Sequence, residues 1–546
     1  MRKCLYSCAF AVLFIGVFVL PSYAANDVPP AIPTNGDVWD GVTITEPSKL
    51  VRKEGIPYYE ISTCAELAYI VQTGGKWVSA NYVLANDLIL NDVDLDEMDF
   101  GWDDEGEPLT DTSKLHPWTR PGYVFSGIFD GAGHTISGLY CEQGDYSSLF
   151  GYVSGTVKSL NIVNAYVGGG SFCGGITGDL EGSGSCVNCL YSGRVAGSSK
   201  VGGITGCAGY RSTVSNCVNY ASVTGGEYVG GIAGQGNGTF IDCANYGPVS
   251  GNNHVGGIVG CGTCDNCFNL GAVNGSASVG GITGWIKSNT SMNHCYNTAP
   301  VTGTSDYIGG IVGMLSDDKT FSMTGCYNTG NVVCEGSGEH VGAIIASSTV
   351  IWGKNTVTGC YYLKNDTVNS GLYGCCGINS PELEPSGTCS KNESQMKTES
   401  TYAGWDFTNT WRISADRNGG CPYLAWQDAS GFPAVVMEYQ IGPLTILDTN
   451  GDPLDAIPAG PFQVRVPITK RVTDSDALVF VAAYTEEGKY SGLMYAALKN
   501  TTEGATVEIS LPVENASKDI VKLKAIAVAS LKDMTPLCAA SVYPTT

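Results

Sequence analysis

Gly174-Gly175-Ile176-Thr177-Gly178, Val201-Gly202-Gly203-Ile204-Thr205-Gly206, Val229-Gly230-Gly231-Ile232-Ala233-Gly234, Val255-Gly256-Gly257-Ile258-Val259-Gly260, Val279-Gly280-Gly281-Ile282-Thr283-Gly284 and Ile308-Gly309-Gly310-Ile311-Val312-Gly313 are copies of one phrase. A worn copy follows at Val341-Gly342-Ala343-Ile344, and Leu149-Phe150-Gly151 reads as the first. Counted from Leu149 through each isoleucine to Ile344, the steps are 27, 28, 28, 26, 24, 29 and 33 residues. A period in this range is the mark of a solenoid.

Between the phrases a second marker recurs, at Cys189, Cys217, Cys243, Cys267, Cys295, Cys326 and Cys360. Two residues on stand Asn219, Asn245, Asn269, Asn297 and Asn328, with Tyr191 and Tyr362 at the two ends. Six residues after the cysteine comes Val195, Val223, Val249, Val273, Val301 or Val332. Each period thus holds three short apolar segments bounded by Gly or Asn. They are too short for helices and fit strands joined by tight turns. Stacked coils of about 26 residues, each strand pairing with its copy above and below, make a parallel β-helix. The Ile, Val and Cys markers then form inward ladders, and Asn at a bend bonds its copies along the stack.

The Gly-Ile-x-Gly phrases resemble the GLUG motif of secreted bacterial repeat proteins, a motif also found attached to some immunoglobulin-cleaving peptidases. The stretch Phe125-Ser126-Gly127-Ile128-Phe129-Asp130-Gly131-Ala132-Gly133-His134-Thr135-Ile136-Ser137-Gly138-Leu139 is similar to the segment that opens such arrays. Gly404-Trp405-Asp406-Phe407, Trp411 and Gly420-Cys421-Pro422-Tyr423-Leu424 are similar to the segment that closes them. The resemblance covers roughly Trp39 to Gln427 and implies a right-handed β-helix and export. It implies no one reaction, since the motif is structural.

Met1 to Ala24 has a basic start (Arg2, Lys3), an apolar run from Ala9 to Leu20, and Ser22-Tyr23-Ala24 ahead of Ala25. This pattern is a secretory signal peptide, too short for a membrane span. The expected location is therefore secreted or cell-surface. The net charge of −23 disfavours nucleic acid and anionic membrane as partners. No later run is long and apolar enough for membrane insertion. Twenty-two cysteines in an exported chain would ordinarily suggest disulfides. Seven of them recur at one ladder position, however, and read as reduced, buried packing. Cys64, Cys141, Cys375-Cys376, Cys389 and Cys538 are the better bridge candidates.

The chain divides into a signal peptide (1–24), a lead-in and N-terminal cap with the first strands (25–124), the repeats with their closing segment (125–430), and a C-terminal module (434–546). Thr63-Cys64-Ala65-Glu66 has the capping-box pattern, predicting a short helix that caps the solenoid's apolar end. After Asn91 nine acids crowd into Asp92 to Glu107. Their spacing departs from a calcium loop, with Glu97 where Gly is needed, and reads as a solvated loop. Alternating segments such as Phe462–Val466, Ala477–Tyr484, Ala505–Leu511 and Val521–Val528 predict a β-sandwich. The whole is an all-β chain.

Signatures of catalysis are sparse in the sequence. The five histidines form no His-Glu-x-x-His, and neither a Gly-x-Ser-x-Gly elbow nor a phosphate loop is present. Acids in the array sit at unmatched offsets, Asp242 and Asp265 coming closest to a carboxylate pair. Cys261, Cys264 and Cys267 have a metal-like spacing, but Cys267 is a ladder residue. The reading calls for no catalytic residue, metal or cofactor. One positive signal remains: the residue after each ladder cysteine points outward, which sets Phe268, Tyr296, Tyr327 and Tyr361 in a row expected to be exposed. Such a row suits a glycan or an extracellular protein as ligand. The expected function is adhesin-like binding; a glycan lyase or hydrolase and a purely structural role are the alternatives.

Overall fold

The computed structural model describes residues 32–428 apart from short stretches, the longest being 101–110, 347–355 and 370–388, together with strands lying between 439 and 543. The leader at 1–24, the pair Cys375-Cys376, Cys538, and Asp96, Glu97, Asp99 and 103–107 of the acidic run lie outside the described residues. The chain forms two compact units, one of Val28–Ile413 with Pro422–Gln427, the other containing Ser414–Cys421 and Asp428–Thr546.

The first unit is a parallel β-solenoid. Its rungs pair in register, Val201 with Val229, Val229 with Val255, Val255 with Val279 and Val279 with Ile308. Each coil has four sides rather than the three expected. The Gly-Gly-Ile phrase is itself a corner, separating a strand such as Ser199–Gly202 from the next, Thr205–Ala208. At that corner one carbonyl serves two donors: Ile232 O accepts from Ile204 N at 3.0 Å and Thr205 N at 3.1 Å. The same sharing recurs at Ile258, Ile282, Ile311 and Ile344. Seven-stranded and eight-stranded ribbons result on either side of the corner, Ser171–Gly174 to Val341–Gly342 and Val124–Phe125 to Val312–Leu315.

Inside, Ile176, Ile204, Ile232, Ile258, Ile282, Ile311 and Ile344 are fully buried. Each such burial contributes about 2 kcal/mol. Beside them the asparagine ladder forms as expected. Nδ2 of Asn219, Asn245, Asn269 and Asn297 donates to Oδ1 of the next Asn at 2.8, 2.7, 2.8 and 2.9 Å. The same nitrogens donate to Ala221 O, Gly247 O, Gly271 O and Ala299 O, closing the bend within each coil. The second Gly of the phrase leaves room for this row. A Cβ at Gly257 would lie 2.2 Å from Gly281 O and 2.4 Å from Asn269 Cγ. The two sequence markers, Gly-Gly-Ile and Cys-x-Asn, are thus halves of one contact.

The seven ladder cysteines are buried; the six from Cys189 to Cys326 carry free thiols, as do Cys64 and Cys141 of the expected bridge candidates. Each ladder thiol donates to the carbonyl two residues earlier, for example Cys217 to Ser215 O at 3.3 Å and Cys267 to Asp265 O at 3.2 Å. The residue between thiol and carbonyl has positive φ: Asn188, Asn216, Asp242, Asn266 and His294. Cysteine therefore fills the ladder for two reasons, being small and apolar and being a weak donor for a corner carbonyl.

The expected helix spans Cys64–Ala68 and continues as a π-helical turn, Tyr69–Thr73. Thr63 is its N-cap in a full capping box with Glu66, and Cys64, Leu67, Ala68, Ile70 and Val71 join the solenoid core. In the C-terminal unit the described strands form two antiparallel sheets of five and four strands. Its main strands, Phe462–Lys470, Ala477–Thr485, Tyr490–Leu498, Thr506–Val513 and Ile520–Val528, run eight or nine residues, longer than the sequence suggested.

Candidate functional site

The expected aromatic row forms, but not at the surface. Phe268, Tyr296, Tyr327 and Tyr361 are neighbours in register. Their rings stack, Phe268 on Tyr296 at 5.0 Å and Tyr296 on Tyr327 at 5.1 Å, nearly parallel. Their exposures are 0, 1, 0 and 5 %. The closing segment lies over them: Trp426 over Phe268, Trp411 against Tyr296 and Tyr327, Trp405 and Tyr402 against Tyr361. Tyr296 OH donates to Gln427 Oε1 at 3.1 Å and Tyr327 OH to Pro422 O at 2.5 Å. A row of rings this apolar is most stable out of water, and the same chain supplies the tryptophans that cover it. The expectation of an exposed row is corrected accordingly.

The same ribbon is covered at its N-terminal end. Leu95, Met98 and Phe100 of the acidic run pack on Leu115, Tyr140 and Tyr166. Asn164 pins the segment by accepting from Leu95 N at 2.6 Å and donating to Val93 O at 2.6 Å. Arg194 donates to the carbonyls of Leu95 and Met98. The described part of the acidic run is therefore an anchored strap.

A different row stands half-exposed, along the edge just before the Gly-Gly-Ile corner. It consists of Tyr146, Phe172, Lys200, Tyr228, His254, Tyr307 and His340, one residue per coil, with the buried Ser278 between His254 and Tyr307. Register shows why these side chains leave the sheet. Ser171 pairs with Ser199 and Cys173 with Val201, leaving Phe172 and Lys200 as bulges outside the ladder. From Tyr146 to Tyr307 each has φ between 54° and 69°. This left-handed backbone costs a non-glycine residue about 1 kcal/mol and swings its side chain to the edge.

The rings there stack along the solenoid axis. Tyr146 and Phe172 lie 4.5 Å apart at 12°, Tyr228 and His254 5.0 Å at 22°, Tyr307 and His340 4.8 Å at 10°. At the Ser278 rung, Trp285 from the adjoining ribbon takes the missing place and stacks on His254 at 4.6 Å. Stacking turns the ring faces toward one another, so their edges meet solvent. Cations sit on the row: Lys200 Nζ lies 4.0 Å from the centroid of Phe172, and Lys287 Nζ 5.4 Å from Trp285 and 5.8 Å from Tyr228.

The adjoining outer positions are Tyr152, Asp179, Cys207, Gln235, Cys261, Trp285 and Met314, in register. Burial, and then the charge of Glu181, push the Asp179 carboxyl up to about 6. Burial, and then Asp179, push the Cys207 thiol up to about 12, too high for a nucleophile at neutral pH. Burial holds the His254 imidazole below its usual range. The signal for this row was present in the sequence as the residue preceding each Val-Gly-Gly-Ile. It was hidden because a bulge breaks the in-out alternation that strand reading assumes.

Other residues singled out from sequence have structural work. Asp265 accepts from Asn293 N at 2.7 Å and Asn293 Nδ2 at 3.1 Å, and Asp242 occupies a positive-φ corner. His134 Nδ1 meets Asp87 at 3.2 Å. Cys264 and Cys267 point into the core, where Cys264 Sγ lies 4.0 Å from Cys295 Sγ, while Cys261 stands in the outer row with Gln235 and Trp285. Among the described residues no cluster of His, Cys, Asp or Glu is arranged to hold a metal ion, and no helix is long and apolar enough to cross a membrane.

No protein-family profile and no curated protein matches the chain. Among solved structures, similarity is found to a putative immunoglobulin A1 protease from Bacteroides ovatus, at 20% identity and TM-score 0.32, over 68% of this chain and 92% of that one. The enzymatically active domain of bacteriophage CBA120 tailspike protein 4 is also similar, at 10% identity and TM-score 0.25, over 92% of this chain and 72% of that one.

Proposed function

We propose that this is a secreted or cell-surface repeat protein of the GLUG kind that acts by binding, adhesin-like, and that its ligand is an extended glycan or extracellular protein held along the bulge row. The observation that carries this reading is the half-exposed stack Tyr228–His254–Trp285 with Lys287 over it, on an edge that the described residues of the strap and of the closing segment leave uncovered. Eight rungs at ~4.8 Å spacing give a ledge about 34 Å long. A ledge of that shape suits a chain lying lengthwise. The leader-like start and the resemblance of the Gly-Gly-Ile phrases to GLUG arrays support export.

The test is binding of the full chain to arrays of glycans and extracellular-matrix proteins, beside the variant Tyr228→Ala/His254→Ala/Trp285→Ala. Binding weakened at least tenfold in the variant, with its thermal unfolding retained, is expected. Equal binding by both overturns the reading. A second reading, hydrolysis or lysis of a glycan, draws on Asp179, whose raised pKa suits a general acid. Release of new chain ends by the wild type and not by Asp179→Asn would establish it.

A further inference from the structure

Among the described residues some cations are ion-paired and others lie over rings; Lys200 and Lys287 belong with the second, as do Arg120 over Tyr146, Arg211 over Tyr210 and Lys391 over Tyr361. Lys53 and Lys158 pair with Asp130, Lys49 with Glu60, Lys397 with Glu393 and Arg417 with Asp428. Lys200 and Lys287 have no carboxylate at ion-pair distance among the described residues, and each instead rests on the ring row. Both are half-buried, and ring contact fixes their stems, with Asp179 within reach of the Lys200 charge and Cys261 within reach of the Lys287 charge. They serve one stretch. Lys200 stands one rung from Tyr228, and Lys287 leans back from Trp285 to that same Tyr228. In a chain of net charge −23, two lysines outside any ion pair of the described residues and held on a half-exposed aromatic row are placed to meet an anionic ligand.

We infer that this stretch, Phe172 to Trp285, takes an extended polysaccharide bearing spaced carboxylates, the uronate type, with carboxylates on Lys200 and Lys287 and the sugar chain along the ring edges. The inference rests on the binding function proposed above and names the ligand class. Spacing matters because Asp179, Glu181 and Glu227 lie on the same stretch. The site has two points of positive charge within a mixed field, so a densely sulfated polymer meets the acids as often as the lysines. Distant carboxylates of the chain are screened beyond a Debye length of about 8 Å at physiological salt, leaving the local pair to decide.

The experiment measures binding of the full chain to three immobilised probes: hyaluronan (alternating carboxylates), heparin (dense sulfate) and carboxyl-reduced hyaluronan. Wild type is expected to bind the first, with at least tenfold weaker binding to the other two. Lys200→Gln/Lys287→Gln should lose at least tenfold toward hyaluronan while unfolding at the wild-type temperature. Equal binding to the carboxyl-reduced probe, preference for heparin, or an unaffected lysine variant overturns the inference. If in those cases the Tyr228, His254 and Trp285 variant still abolishes binding to some polymer or protein, the broader binding function survives. The broader function falls as well if that variant binds as wild type does, or if no probe and no array member binds at all.

Discussion

At the scale of single residues, the fold depends on a few polar atoms placed inside an apolar stack. Asn297 makes four bonds: its Nδ2 donates to Ala299 O and Asn328 Oδ1, and its Oδ1 accepts from Asn269 Nδ2 and Ala299 N. Asn297→Ala leaves buried partners unsatisfied on both neighbouring coils. A loss of about 3 kcal/mol is expected, read as a lower urea midpoint. Asp179 has the opposite character. Its carboxyl titrates higher in the fold than the usual value of about 3.9 in the unfolded chain. It therefore contributes stability that is fully present below pH 4 and lost as pH rises through about 6. Asp179→Asn should match wild type in thermal unfolding near pH 4 and exceed it at pH 7.5. Partial exposure screens the effect, leaving about 1 kcal/mol. A gap that fails to widen between those pH values would show that the carboxyl is not held in this way.

At the scale of elements, two segments decide which parts of the surface face solvent. The closing segment carries Trp405, Trp411 and Trp426 onto the ring row, with Trp405 Nε1 donating to Gly359 O at 2.9 Å and Trp426 Nε1 to Asn266 O at 2.9 Å. Tyr327→Phe removes the donor to Pro422 O and should cost about 1 to 2 kcal/mol. Tyr327→Ala also opens a cavity under Trp411 and should cost about 4 kcal/mol. Limited proteolysis within 391–428 should be slow in wild type, faster in the first variant and fastest in the second. The closing segment was recognisable by resemblance, whereas the run after Asn91 reads as a solvated loop and its described part is instead packed on the ribbon. What could not be read was where they dock, since the tryptophans lie 78 or more residues downstream of Tyr327 and Phe268 with no periodicity linking them. For the same reason the sequence placed its binding row on the covered ribbon.

For the solenoid unit as a whole, each coil pairs its strands only with those of its neighbours, so rungs are interchangeable parts. Deleting Ile232–Gly257 removes one 26-residue period and joins Gly231 to Ile258, between the strap and the closing segment. The shortened chain should keep its β-type circular dichroism and cooperative unfolding, with the bulge row one rung shorter. A chain that no longer folds would mean that stability is not shared along the stack in this way.

The repeat, its inward ladders, the capping box and the all-β character were determined by the sequence alone, because stacking is local in period. A coil that cannot bury its Ile, Val, Cys and Asn by itself must place them against the next copy. Which outward faces stay open was decided only by tertiary structure. Coverage depends on segments distant in the chain, and the bulges that turn Tyr228 and His254 to the edge come from left-handed backbone at non-glycine residues, which no alternation of apolar and polar positions encodes.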